Sequence, residues 1–196
     1  ALTIGHDPET AKAIEAMGSE VAYHRADITD AEALGQAIHR IKERWGSVSG
    51  VIQASGVIND CLFVNKDWEA VRRVMVPKVE GTLFLNEALK DEPLDFFVVF
   101  SSVVSILGNI GQSDYAAANS FLDAFIQHRA RTGARGKSFG INWTLWSDGG
   151  MGIDGRTRSH FQKTSGLIDG SRGVAALRSI LSGTETQVVV VGRALP

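Results

Sequence analysis

Short apolar runs alternate with longer amphipathic segments along the whole chain. Residues 96–100 (FFVVF) are apolar at every position, which is typical of a strand buried between two layers of helices. The same kind of short run, rich in β-branched residues, predicts strands elsewhere in the chain. The predicted strands are residues 2–4, 21–23, 51–54, 96–100, 139–143 and 187–191.

Segments with apolar residues at helical spacing lie between these runs. One helix is expected to begin at Pro8, where Asp7 can cap it, and a second begins at or just before Asp30 and ends before Gly46. The remaining predicted helices are residues 67–90, 112–131 and 171–181. Pro77 lies inside the first of these three, so we expect a kink or a helix boundary there.

The order of these elements, strand then helix, repeats along the chain. This order predicts an α/β fold with a doubly wound parallel sheet of the Rossmann type. The length of 196 residues favours one domain, residues 1–196. Ligands of such sheets bind beyond the carboxyl ends of the strands. The first candidates for a site are therefore the residues that follow each predicted strand.

Composition and charge exclude several classes of protein. The 20 Lys and Arg residues against 22 Asp and Glu give a net charge of −2, which argues against a nucleic-acid binder. The single cysteine, Cys61, excludes an internal disulfide and a multi-thiolate metal site, and it suits a reducing cytoplasm. No apolar run approaches the roughly 20 residues that a membrane helix needs. We therefore expect a cytoplasmic protein without metal, membrane or nucleic-acid binding.

Four residues suggest proton-transfer chemistry. Tyr115 and Asn119 share one helix face in DYAAAN, Ser102 ends the FFVVF strand, and Lys78 lies on the preceding long helix. A nearby ammonium would lower the pKa of a tyrosine, and a serine hydroxyl can hold a carbonyl oxygen. The same residues could equally be an ordinary helix tyrosine, a solvated lysine and turn serines. The spacing alone leaves both interpretations open.

The stretch VFSSVVSILGNIGQSDYAAANSFLDAF resembles the ketoreductase domains of modular polyketide synthases, a branch of the short-chain dehydrogenase/reductases. VIQASGVIND, VMVPKVEGTLFLNEAL and INWTLWSDGGM extend the resemblance over nearly the whole chain. The sequence GNIGQSDYAAAN is most similar to that of ketoreductases from synthases that use separate acyltransferases. The resemblance implies that Tyr115 is the proton donor, Ser102 holds the ketone oxygen, Lys78 lowers the tyrosine pKa and Asn119 supports the proton relay.

The resemblance also implies NADPH as cofactor. Asp27 and Ile28 would meet the adenine, and the turn Ala54, Ser55 and Gly56 would approach the nicotinamide ribose. His6 stands where the family usually has an arginine for the 2′-phosphate, so NADH remains an alternative. The glycine-rich GxGxxG loop is absent from this sequence, so we expect that the first strand–loop–helix unit, roughly 30 residues, precedes Ala1 in the whole protein.

Further residues are expected to control the substrate. Asp60 aligns with the last residue of the leucine-aspartate-aspartate motif of B-type ketoreductases, and Leu107 stands where their counterparts have tryptophan. Both imply a D-configured alcohol, although Asp60 can also be a plain loop residue. Residues 147–170 are glycine-rich and expected to be irregular, and 149–168 resemble a mobile lid. Gly150 and Met151, at its start, are expected to lie beside the substrate.

Together these features predict an enzyme that reduces a β-ketoacyl thioester carried by the phosphopantetheine of an acyl carrier protein, among neighbouring synthase domains. Two alternatives stay open. The chain can be a catalytically inactive ketoreductase remnant that scaffolds a synthase module, which the absent phosphate loop would favour. It can also be a free-standing reductase of small ketones.

Overall fold

The computed structural model describes residues 8–149, 151 and 155–194. The strands are β1 (Gly50–Gln53), β2 (Phe96–Ser102), β3 (Lys137–Trp143) and β4 (Gln187–Val190). The helices are α1 (Pro8–Ala16), α2 (Ala31–Trp45), α3 (Trp68–Ala88), α4 (Val104–Leu107), α5 (Ser113–Arg131), α6 (Gly155–Lys163) and α7 (Gly170–Ser182). A short 3₁₀ helix, Phe63–Asn65, precedes α3.

The four described strands form one parallel sheet in the order β1-β2-β3-β4. Phe96 of β2 pairs with Gly50 of β1 and with Lys137 of β3, and Gly140 of β3 pairs with Gln187 of β4. All carboxyl ends therefore lie at one edge of the sheet. The predicted α/β fold with a parallel sheet is confirmed.

Alternating residues of β2 serve two cores on opposite faces of the sheet. Phe97 and Val99 pack with residues of α2 and α5, whereas Val98 packs with Ile180 of α7. Each of these strand residues is fully buried. This double burial explains why FFVVF is apolar throughout, because neither face of the strand meets water.

Local sequence signals set the starts of the long helices. The carboxylate of Asp30 accepts hydrogen bonds from the amides of Glu32 and Ala33, and that of Asp67 accepts one from the amide of Ala70. Helix α3 continues through Pro77, so the expected boundary there is wrong. The main-chain carbonyl of Pro77 accepts a hydrogen bond from the Gln53 side chain at 3.2 Å, which ties this turn of the helix to β1.

Two further expectations differ from the structure. Residues 21–23 are not a strand, because a strand requires a hydrogen-bonded neighbour and none of the described strands pairs with them. Residues 155–163 form α6 rather than an irregular segment, with Phe161 buried against Val74 and Tyr115. The predicted strand 2–4 and the Asp7 cap lie outside the described residues.

Candidate active site

A cleft of about 330 Å³ opens at the carboxyl edge of the sheet. Strands β2 and β3 contribute Ser102 and Trp143 to its wall, and α3 and α5 contribute Lys78 and Tyr115. Residues before and within α6 close its outer side. These are Leu145, Trp146, Gly149, Met151 and Phe161. The structure thus brings together three of the four residues that the sequence suggested for proton transfer, from three different elements.

Tyr115 lies two residues into α5 with 8% of its surface exposed. Burial raises its pKa above the ordinary value of 10.0, while hydrogen bonding with the side chains of Asn119 and Ser102 acts in the opposite direction. The negative charge of Asp60 also raises it. The net shift of the Tyr115 pKa is upward, with desolvation as its largest cause, and the role expected for Lys78 in lowering it stays a prediction. Tyr115 therefore holds its proton at neutral pH.

Lys78 is buried, with 3% of its surface exposed, and its Nζ atom lies 5.7 Å from the centre of the Tyr115 ring. Nζ donates a hydrogen bond to the Phe100 carbonyl at 3.0 Å. Burial lowers the pKa of Lys78 to about 8, against the opposing attraction of the Asp123 carboxylate. The ammonium form still dominates at pH 7, so a positive charge lies beside the tyrosine ring.

Asn119 lies behind Tyr115 and is fully buried. Its Nδ2 atom donates a hydrogen bond to the Tyr115 main-chain carbonyl at 2.7 Å. Among the described residues, two buried side-chain polar atoms have no hydrogen-bond partner, Asn119 Oδ1 and Trp143 Nε1. Both belong to residues at this site. Buried polar atoms without a partner are uncommon, and they indicate a place that a water or a ligand would satisfy.

The turn after β1 is held close to Lys78. Ser55 donates from its amide and its hydroxyl to Oε1 of Gln53, at 2.7 and 3.0 Å. A side chain at Gly56 would place its Cβ 2.9 Å from Cε of Lys78. Ala54 lines the cleft. The three predicted turn residues therefore lie beside the lysine, and only a residue without a side chain fits at position 56 without displacing it.

Asp27 and Ile28 lie in a half-buried turn before α2. Oδ1 of Asp27 accepts hydrogen bonds from the amide and the hydroxyl of Thr29, and these bonds lower the pKa of Asp27. Asp30, not Asp27, caps the helix. Ile28 packs against α3, where a Cβ at Gly81 would lie 2.9 Å from its Cγ2.

The predicted substrate-controlling residues occupy different places. Met151 lines the cleft. Asp60 is exposed and accepts hydrogen bonds from Nε2 of Gln112 on both oxygens at 2.9 Å, while Gln112 itself lines the cleft. Leu107, at the end of α4, is half exposed and belongs to no described wall of the cleft. His6 and Gly150 lie outside the described residues.

Sequence reasoning missed several polar side chains that build this site. Gln53 bridges the turn to α3 through the Pro77 carbonyl and the Thr82 hydroxyl. Its signal is a polar residue inside a buried apolar strand. Asn142 of β3 lies within hydrogen-bond distance of Asp123 and Ser105, behind Ser102. The buried pair of Lys66 and Asp114, with side chains 1% and 2% exposed, was also missed.

The described residues hold neither a cluster of three His, Cys, Asp or Glu side chains suited to a metal ion nor a helix with the length and hydrophobicity of a membrane span.

Comparisons with known proteins agree with this geometry. The chain is 38% identical over 186 residues to the polyketide synthase PksN of Bacillus subtilis, covering 92% of this chain and 3% of PksN. It matches the crystal structure of a ketoreductase domain from the bacillaene assembly line, with a TM-score of 0.87 and 38% identity, over 96% of this chain and 47% of that one.

A short-chain dehydrogenase from Burkholderia cenocepacia, solved in complex with NADP, shares the fold at 20% identity. The TM-score is 0.79, and the match covers 94% of this chain and 80% of that one. The KR domain family matches residues 4–148, which is most of the chain. The chain belongs to the KR domain family, and its relatives are the ketoreductase domains of polyketide synthases.

Proposed function

We propose that the protein reduces a β-ketoacyl thioester on an acyl carrier protein to the β-hydroxyacyl thioester, with NADPH as reductant. The observation that carries the proposal is the convergence of Tyr115, Ser102 and Lys78 on one cleft, with Asn119 directly behind the tyrosine. A buried phenol that keeps its proton, beside a buried ammonium, suits a group that donates a proton to a ketone oxygen.

The residues present fit a dinucleotide cofactor at one end of the cleft. Gly56 leaves no side chain between the turn and Lys78, so a ribose can approach the main chain there. Asp27 and Ile28 would hold the adenine, and Ala54, Ser55 and Gly56 would hold the nicotinamide ribose. A reduced nicotinamide would supply the hydride. The NADP complex of the similar short-chain dehydrogenase supports this class of cofactor.

The side chains of this protein carry out the remaining parts of the proposed reaction. With a hydride supplied to the β-carbon, the phenol of Tyr115 would give its proton to the carbonyl oxygen, so that C=O would become CH–OH. Ser102 donates a hydrogen bond to that oxygen as negative charge develops on it. The ammonium of Lys78 stabilises the phenolate that remains. Asn119, through its unpartnered Oδ1, holds a water through which Tyr115 regains a proton.

We infer B-type stereochemistry, with a D-configured alcohol as product. Asp60 is held at the edge of the site by Gln112, three residues before Tyr115. Leu107 stands where the counterparts of B-type ketoreductases have tryptophan, so this chain has no aromatic ring at that position. Met151, and Gly150 before it, would contact the substrate from the segment before α6.

The partners follow from the substrate and from the relatives. We propose that an acyl carrier protein presents the acyl chain on phosphopantetheine and that further synthase domains lie beside this one, in a cytoplasmic synthase that uses separate acyltransferases. The chain spans 3% of PksN, which is itself a polyketide synthase. Gly149, Met151 and Phe161, from the segment expected to form a lid, line the cleft that the phosphopantetheine arm would enter.

The Tyr115→Phe variant tests the reaction. Loss of the proton donor should lower the turnover of a 3-oxoacyl N-acetylcysteamine thioester by about 10²- to 10⁴-fold with folding retained. NADPH oxidation reports the rate, circular dichroism reports the fold, and chiral chromatography identifies the alcohol. An unchanged rate would reject the assignment, and an L-alcohol would reject the B-type inference.

The same assay separates the alternatives. A wild-type protein that consumes no NADPH with any thioester would favour the inactive scaffold. Efficient reduction of simple ketones, with no advantage for carrier-bound thioesters, would favour a free-standing reductase. Faster turnover with NADH than with NADPH would overturn the choice of cofactor.

A further inference from the structure

The loop between β1 and α3, residues 59–66, has an inverted distribution of polar and apolar side chains. Phe63 and Val64 are 72% and 85% exposed, and Leu62 is half exposed. Lys66, in contrast, has only 1% of its side chain exposed. Burial of an ammonium beside exposed apolar residues opposes the hydrophobic effect. A specific interaction of the lysine must therefore fix the orientation of this loop.

That interaction is a complete set of hydrogen bonds. Nζ of Lys66 lies 2.7 Å from both carboxylate oxygens of Asp114 and 2.6 Å from the main-chain oxygen of Asn59. An ammonium has three donors, and each has a partner here. Oδ1 of Asp114 also accepts the amide hydrogen of Tyr115 at 2.9 Å. The lysine is thus joined, through one carboxylate, to the main chain of the candidate proton donor.

Two further contacts join the same two segments. Nε2 of Gln112 donates to both oxygens of Asp60 at 2.9 Å, and the amide of Cys61 donates to the carbonyl of Gly111 at 3.0 Å. Loop 59–66 is therefore attached to residues 111–115 by one main-chain bond, one amide–carboxylate contact and one buried ion pair. These contacts fix the position of the loop that carries Asp60 relative to the start of α5, which carries Tyr115.

Stability does not explain the ion pair. A buried pair of charges contributes little net stability compared with apolar residues of similar size, because both charges lose their hydration. Its distinctive property is geometric, since an ammonium with three fixed acceptors tolerates little displacement. We propose that Lys66 and Asp114 are a positioning pair, which holds Asp60 at a fixed distance from Tyr115 and so sets which face of the ketone receives the hydride.

This inference rests on the proposed function and assigns to that reaction two residues that do not touch the substrate. The test is the double variant Lys66→Met/Asp114→Leu, which removes both charges and keeps the volume filled. Its control is Glu87→Gln/Lys90→Gln, which removes an exposed ion pair between Glu87, in the last turn of α3, and Lys90, just after the helix. Asp114→Asn, which keeps the shape and the acceptor for the Tyr115 amide, replaces the double variant if the latter does not fold.

One readout does not depend on the reaction. Hydrogen exchange of the Cys61 amide should become at least about tenfold faster in the double variant, because opening of the loop no longer breaks the ion pair. The exchange rate should stay unchanged in the control variant. An unchanged Cys61 exchange rate in the double variant would overturn the positioning role.

The second readout is the reaction itself. With a 3-oxoacyl N-acetylcysteamine thioester, kcat should fall by about tenfold to a hundredfold, since a displacement of about 1 Å can cost that much. The ratio of the two alcohol enantiomers should fall by about tenfold. The dissociation constant for NADPH should stay unchanged. Wild-type kcat and enantiomer ratio in the folded double variant would overturn the inference.

The two failures can be told apart. A wild-type protein without turnover contradicts the proposed function, and the exchange of the Cys61 amide then decides alone whether the pair positions the loop. An active wild type with an unaffected double variant contradicts only the inference.

Discussion

The Nζ atom of Lys78 donates its hydrogen bond to the main-chain carbonyl of Phe100 at 3.0 Å, not to the phenol of Tyr115. The lysine is nevertheless beside the tyrosine, 5.7 Å from the centre of its ring. In the proposed reaction it would act on the phenol through its charge, because both side chains are buried. Anything that removes this charge should therefore reduce activity even when the tyrosine is untouched.

The first prediction concerns the pH dependence of the rate. Because burial lowers the pKa of Lys78 to about 8, the lysine is charged below that pH and loses its charge above it. Burial raises the pKa of Tyr115, so the phenol keeps its proton over the same range. At saturating NADPH, kcat for ketone reduction should fall about tenfold for each pH unit above about 8. A rate that stays level to pH 10 would contradict this role of Lys78.

The second prediction uses the same pKa and needs no activity. The pKa of Lys78 is about 8 in the folded protein and 10.5 ordinarily, so the unfolded chain binds more protons between these two values. The free energy of unfolding should therefore rise with pH in that window. The contribution of Lys78 is about 3 kcal/mol, since one pKa unit corresponds to about 1.4 kcal/mol.

Urea unfolding of the wild type and of Lys78→Met at pH 8 and at pH 10.5 measures this contribution. The wild type should gain stability relative to the variant as the pH rises. The same substitution at the exposed Lys12 is the control and should leave the wild-type pH dependence in place. A stability difference between wild type and Lys78→Met that is the same at both pH values would contradict the burial of a charged lysine.

Much of the fold could be predicted because its signals are local. Asp30 at the start of α2 and the apolar strand FFVVF act within a few residues, and the helix and the strand that they predicted are present. Helix α6 was missed because its glycine-rich surroundings favour irregular structure. It is stabilised by packing of Phe161 against Val74 and Tyr115, which are distant in sequence.

In the candidate site too, only the features with local sequence signals could be predicted. Tyr115 and Asn119 could be paired from helical spacing alone, and Ser102 from the end of its strand. The direction of the tyrosine pKa could not, because it depends on burial by α6 and other distant elements. The pairing of Lys66 with Asp114 joins residues 48 positions apart. The apolar residues just before the lysine in sequence would be expected to be buried and the lysine to face water, whereas the structure has the reverse.

The third prediction concerns Gly56. Alanine there would place its Cβ 2.9 Å from Cε and 3.4 Å from Nζ of Lys78, so the lysine must move away from the Phe100 carbonyl. We expect kcat/KM to fall by about tenfold to a hundredfold, since displacements of about 1 Å have such effects. The fold should be retained, because the clash involves the end of a flexible side chain.

Gly35→Ala is the matched control for this substitution. Gly35 lies inside α2, and an added Cβ would meet no atom within 4 Å. This variant should gain about 0.5–1 kcal/mol of stability, because alanine restricts the unfolded chain and favours the helix. Its rate should match the wild type. Equal activity of Gly56→Ala and Gly35→Ala would show that the contact at Gly56 does not position the lysine.

The fourth prediction separates the energetic cost of the ion pair from its geometric effect. Lys66→Met leaves the carboxylate of Asp114 buried, at 2% exposure, without its partner. Stability should fall by about 3–5 kcal/mol, because an uncompensated buried charge is strongly unfavourable. Lys66→Met/Asp114→Leu removes both charges and should recover most of this loss in urea unfolding. Equal losses in the single and double variants would mean that packing of the lysine stem, not charge, carries the stability. The predicted result is a double variant that is stable but reduces its ketone with poor selectivity, because replacing the charges restores the free energy of folding without restoring the fixed distance between Asp60 and Tyr115.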